Sequence, residues 1–147
     1  MKPVVILLVE DNPDHVLIIT HVLKSNNVVN EVKVARDGQE AMDYLLQQGA
    51  FRDPSTAPRP GLILLDIKLP KLDGFEVLQR IKQNPSLKPI PVVILTSSDQ
   101  EVDIAKGFGE GANSYVSKPM QFSEFTEKVR KLELYWILVN SLPSLQG

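Results

Sequence analysis

The sequence predicts an α/β domain: a five-stranded parallel sheet, doubly wound, with helices on both faces and an extended C-terminal helix. Three observations lead there. Short runs of Val, Ile and Leu alternate along the 147 residues with segments of helical periodicity, the pattern of βαβ units. Three of the runs, in the first, third and fourth strands, are apolar throughout rather than alternately polar, as strands covered on both faces are. Their C-terminal ends are polar, and open parallel sheets bind ligands outside those ends.

Val4 to Val9 opens the chain as a buried strand. Asn12, Pro13 and Asp14 supply helix-start chemistry, and Val16, Ile18, Ile19, Val22 and Leu23 then recur at helical spacing. "EVKVARDG" reads as a second strand ending in a turn, and "QEAMDYLLQQG" as a helix closed by Gly49. Residues 49–61, rich in proline and polar side chains, read as a surface loop on the sheet edge away from the chemistry. "GLILLDI" is the third strand, "GFEVLQRIKQNP" a helix stopped before Pro85, and "IPVVILTSS" the fourth strand. "DQEVDIAKGFGEG" is a weaker helix, because Gly107 and Gly109 each cost it about 1 kcal/mol relative to alanine. "NSYVSKP" is a short fifth strand, and the last helix runs roughly from Ser123 to Ser141. Right-handed crossovers between successive parallel strands make the sheet doubly wound.

Residues 1–147 are expected to form one domain, with a core from about 4 to 141 and a short C-terminal tail. A net charge of -2 gives no electrostatic reason to expect nucleic acid or an anionic membrane as partner. The absence of cysteine rules out disulfides, a thiolate nucleophile and Cys-ligated zinc. The apolar run before Glu10 is too short for a signal peptide and no stretch reaches transmembrane length, so a cytoplasmic location is expected.

The strand ends carry the chemistry. Strand one ends in Glu10-Asp11, strand three in Asp66, strand four in Thr96-Ser97-Ser98, and strand five in Lys118-Pro119. Three carboxylates within about 5 Å would each repel their neighbours by roughly 3 kcal/mol at an effective dielectric near 20. A divalent cation relieves this. With oxygen donors alone, and no His or Cys expected nearby, Mg²⁺ fits, with Mn²⁺ and Ca²⁺ as alternatives. Glu10 and Asp11 then read as metal ligands, Lys118 as an opposing positive charge, and Asp66 as the group prepared to accept an anion.

"VEDN", "LLDIKLPKLDGFEVL", "VVILTSS" and "ANSYVSKP" together resemble the receiver domain of two-component response regulators, over residues 4 to 140. The resemblance implies the flavodoxin-like strand order 2-1-3-4-5. It implies that Asp66 takes a phosphoryl group from a histidine kinase. Glu10, Asp11, Asp66 and the backbone carbonyl of Lys68 would hold Mg²⁺. Thr96 and Lys118 would contact phosphoryl oxygens, Tyr115 would be an aromatic switch coupled to Thr96, and the Lys118-Pro119 bond would be cis. The loop before strand three and the ending "KLELYWILVNSLP" look more specifically like stand-alone receivers that partner phytochrome-type histidine kinases.

A signalling phospho-acceptor, rather than an enzyme acting on other substrates, is therefore expected. A flavin carrier on the same fold would need a hydroxyl- and glycine-rich loop where "EDNPDH" stands. An aspartyl phosphatase would usually carry a second Asp at the position of Lys68. No helix-turn-helix follows the domain, so output by protein contact or phosphorelay is expected rather than DNA binding. Phe125, Val129, Leu132 and Trp136 form one apolar stripe for the sheet, while Leu134, Tyr135, Ile137, Leu138 and Val139 make the second half apolar nearly all round. That excess predicts a homodimer through this helix.

Overall fold

The computed structural model describes residues 4–68, 73–97 and 114–131. Five parallel strands form one sheet: β1 (Val5–Val9), β2 (Val32–Ala35), β3 (Pro60–Asp66), β4 (Val92–Thr96) and β5 (Ser114–Ser117), in the order β2-β1-β3-β4-β5. This is the expected order. The chain steps from β1 outward to β2, then returns past β1 to β3, so the strand order reverses between β1 and β3. That reversal opens a crevice at their carboxyl ends.

The period-2 alternation of the strands divides the core into two layers. Ile6, Leu8, Leu62, Leu64, Leu95 and Val116 face α1 (Pro13–Ser25) and α4 (Phe122–Lys131), packing on Ile19, Leu23, Phe125 and Val129. Leu7, Val9, Ile63, Leu65 and Ile94 face α2 (Gly38–Leu45) and α3 (Gly74–Gln83), packing on Ala41, Val77, Leu78 and Ile81. Both faces are covered, which explains why β1 and β4 are buried at every position.

Side-chain caps set the helix starts. Asn12 Oδ1 accepts from the Asp14 and His15 amides, Asp37 from the Glu40 amide and Asp73 from the Glu76 amide, while Pro13 occupies the first turn of α1. One expectation needs correction. α2 ends at Leu45, and Gln47 (φ 52°) turns the chain before Gly49 is reached. Gly49 (φ 61°) instead opens a 3₁₀ turn, Gly49–Phe51. The loop after it is mostly exposed, as expected, and leads into the amino end of β3, away from the carboxyl-end site. α2 also holds it: the Tyr44 hydroxyl donates to Pro58 O at 2.8 Å and the Gln47 amide to Ala57 O at 3.0 Å. Phe51 lies on Tyr44 with ring centroids 5.3 Å apart, and Ala57 is fully buried. These contacts supply hydrogen bonds and burial that composition did not reveal.

The last helix begins at Phe122, and Phe125 and Val129 face the sheet as expected. Leu132, Trp136 and the predicted interface residues Leu134, Tyr135, Ile137 and Leu138 lie outside the described residues, as do Ser98 and the helix predicted after strand four.

Gly74 is required where α3 starts, because a Cβ there would lie 2.5 Å from Asp66 O and 2.6 Å from Ile67 Cα, both backbone atoms. Gly74→Ala should therefore lower stability by about 1–3 kcal/mol in urea denaturation. A change within error would show that α3 can retreat from the end of β3.

Candidate functional site

Glu10 is the residue after β1, and its carboxylate is completely buried although it lies at a strand end. The start of α1 wraps around it. The Asn12 amide donates to Oε2 at 3.2 Å, and Asn12 in turn caps the helix. On the other oxygen, Lys118 Nζ lies 2.7 Å from Oε1. The same ammonium donates to Asp66 Oδ2 at 3.1 Å, while the Lys68 amide donates to Asp66 Oδ1 at 3.1 Å. Asp66 is 5% exposed, so a single lysine joins two buried carboxylates from different strands.

Asp11 is exposed, yet one oxygen from each of Glu10, Asp11 and Asp66 lies within 4.8 Å of the others. The donor set is all oxygen and the cluster is acidic, which fits a hard divalent cation. Thr96 is buried at the end of β4. Its carbonyl accepts from the Lys118 amide at 2.8 Å, anchoring the start of the lysine turn. Ser117 N donates to Glu124 Oε1 at 2.8 Å, fastening that turn to α4. The Lys118-Pro119 peptide is cis. Tyr115 pairs with Ile94 in register and packs, partly buried, on the α2–α3 layer.

Strand alternation explains the grouping. Glu10 follows Ile6 and Leu8, Asp66 follows Leu62 and Leu64, and Lys118 follows Val116, all residues of the α1–α4 layer. Thr96 follows Val92 and Ile94 on the opposite layer, the one that Tyr115 contacts.

The electrostatics follow from burial. Desolvation, then the hydrogen bond and charge of Glu10, push the Asp66 carboxyl up to about 6, against the Lys68 amide and the Lys118 ammonium. Burial opposes the Lys118 ammonium, but Glu10 and Asp66 outweigh it and hold its pKa above the ordinary lysine value.

One residue escaped sequence reasoning. His15, expected to play no part, brings Nδ1 within 3.5 Å of Glu10 Oε1. The only available signal was its place in the first turn of α1, five residues after Glu10. Beside it, a groove of about 240 Å³ is lined by His15, Ile18, Ile19, Lys118, Pro119 and Met120.

A doubly wound sheet with three carboxylates and a lysine at its switch point defines a class of α/β signalling domains. The chain belongs to the response regulator receiver domain family, whose model matches residues 6–130. It is 43% identical over 142 residues to the response regulator Rcp1 of Synechocystis, covering 97% of this chain and 95% of that protein. The Mn²⁺-bound crystal structure of Rcp1 superposes with a TM-score of 0.72 at 44% identity, over 96% of this chain and 99% of that one. The bacteriophytochrome response regulator AtBRR superposes with a TM-score of 0.87 at 43% identity, over 96% of this chain and all of that one. The phosphorylated cyanobacterial phytochrome response regulator RcpA gives 0.74 at 43% identity, over 92% and 95% of the two chains. Receiver-domain regulators are signalling proteins that bind a divalent metal and partner sensor histidine kinases. No helix among the described residues is long and apolar enough to cross a membrane.

The raised Asp66 pKa has a testable sign. Between the ordinary value of 3.8 and about 6, the folded chain holds a proton that the unfolded chain has lost. Stability from this group therefore falls as pH rises through that window and stays low above it. In chelator, Asp66→Asn should raise stability near pH 8 by roughly 2–3 kcal/mol and change little near pH 4, as read by urea denaturation. A loss of stability near pH 8 would show that the Asp66–Lys118 pair outweighs the cost of burying the carboxylate.

Proposed function

We propose that this chain works as a single-domain response regulator, accepting a phosphoryl group on Asp66 from the phosphohistidine of a phytochrome-type sensor kinase. The observation that carries the reading is the buried carboxylate cluster spanned by Lys118. A pair of acids held by one lysine is poorly designed for stability alone, but it is suited to receiving a multiply charged anion. The match in length and identity to Rcp1, AtBRR and RcpA supports the narrower partner.

Glu10, Asp11 and Asp66, with the backbone carbonyl of Lys68, would hold Mg²⁺, which when bound neutralises charge on the phosphoryl oxygens. An Asp66 oxygen attacks phosphorus as the P–N bond to the histidine breaks, and the electron pair leaves with the imidazole. Lys118 turns its ammonium to a phosphoryl oxygen, and the Thr96 hydroxyl donates to another. Tyr115, on the same layer as Thr96, follows its movement. Catalysis here is positioning and charge neutralisation rather than proton transfer. Output passes to a protein partner or along a phosphorelay in the cytoplasm.

Incubation with acetyl phosphate and Mg²⁺ should raise the intact mass by one phosphoryl group, and Asp66→Asn or chelator should abolish the gain. Equal labelling of Asp66→Asn would overturn the assignment.

The homodimer is supported by the apolar segment "LYWILV" alone. Sedimentation should show a dimer at tens of micromolar that Leu134→Glu with Ile137→Glu dissociates. A native chain that stays monomeric with and without phosphodonor would remove this part of the proposal.

A further inference from the structure

His15 Nδ1 is buried and has no hydrogen-bond partner, although the side chain as a whole is 42% exposed. It faces Glu10 Oε1 at 3.5 Å. That oxygen is likewise buried and receives no aligned hydrogen bond; its close contact is the Lys118 ammonium at 2.7 Å. Two lone pairs facing each other in a buried space would repel, so Nδ1 is the nitrogen that carries hydrogen. The neutral Nδ1–H tautomer and the imidazolium both meet this condition. The separation is a few tenths of an ångström beyond a hydrogen bond, within reach of a small ring movement.

As a premise, the Lys118 ammonium gives up its Glu10 contact when it turns to a phosphoryl group on Asp66. Nζ now bridges Glu10 and Asp66 at 2.7 and 3.1 Å. A phosphoryl group places its oxygens beyond the aspartate, and an ammonium that follows them leaves Glu10 Oε1. Asn12 N serves only the other oxygen. A buried carboxylate oxygen left unpaired is costly, and His15 Nδ1 already faces it at 3.5 Å.

We infer that His15 is a positioning residue, donating from Nδ1 to Glu10 Oε1 when Lys118 turns to the phosphoryl group and thereby keeping Glu10 oriented in the phosphorylated state. This rests on the function proposed above. Partners that orient a ligating carboxylate typically change metal affinity by about 10–100-fold when removed.

The test uses the full chain with Mn²⁺ and beryllofluoride, a phosphoryl mimic, in native, His15→Asn and His15→Leu forms. Asn places an amide donor close to the Nδ1 position, whereas Leu keeps bulk without a donor. With beryllofluoride bound, His15→Leu should weaken Mn²⁺ binding, read by electron paramagnetic resonance, by about tenfold or more. His15→Asn should remain within about threefold of native. Without beryllofluoride both variants should lie near native, because Lys118 still covers Oε1. In the native chain with diamagnetic Mg²⁺ in place of Mn²⁺, ¹⁵N spectra of the imidazole should show hydrogen on Nδ1 and a stronger hydrogen bond after beryllofluoride is added. Equal affinities for Leu, Asn and native with beryllofluoride, equal losses in both variants, or an unprotonated Nδ1 would each overturn the inference while leaving Asp66 as acceptor. A native chain that takes up no beryllofluoride would instead overturn the proposed function, and this inference with it.

Discussion

The site depends on one ammonium group. Lys118 reaches across from the end of β5 to Glu10 beyond β1 and Asp66 at the end of β3, two carboxylates that water scarcely touches. Without it the two acids would face each other buried and uncompensated, and one of them would have to stay protonated. With it, the two acids lie close together around one shared positive charge. Burial and Glu10 still push the Asp66 carboxyl up against that charge.

The sheet delivers these groups by parity. Each residue in the acid–lysine set continues the strand positions that face α1 and α4, whereas Thr96 and Tyr115 belong to the layer under α2 and α3. The turn that carries Lys118 is fastened to α4 by Ser117 and Glu124, and Thr96 lies on the layer that Tyr115 contacts. The backbone bond from Lys118 N to Thr96 O joins the ends of β4 and β5 between the two layers.

The connections are as constrained as the strands. Asn12 both caps α1 and donates its amide to Glu10, so the helix start and the carboxylate orientation are one structure. Gly74 lets α3 begin against the backbone of Asp66 and Ile67, where a side chain would not fit. The loop before β3 is held by Tyr44 and Gln47, which keeps the long connection packed far from the carboxyl ends.

The sequence by itself determined most of the strands, the start of the first helix and the polar residues at the strand ends, because apolar runs, Asn12 with Pro13, and the acids at the strand ends are local signals. Neighbouring residues along the chain are enough to read them. The carboxylates could be assigned to one edge of the sheet, since all parallel strands deliver their ends to one side. Tertiary structure alone decided which residues share an oxygen. Nothing local says that Lys118 binds Glu10 more closely than Asp66, that Asp11 stays exposed, or that His15 turns its Nδ1 inward. Nor does composition show that residues 49–61 are tied to α2, or that α2 stops before Gly49. These outcomes depend on side chains that meet across 5 to more than 100 residues of chain. The energy of such meetings comes from burial and from competition for hydrogen-bond partners, which only the folded arrangement defines.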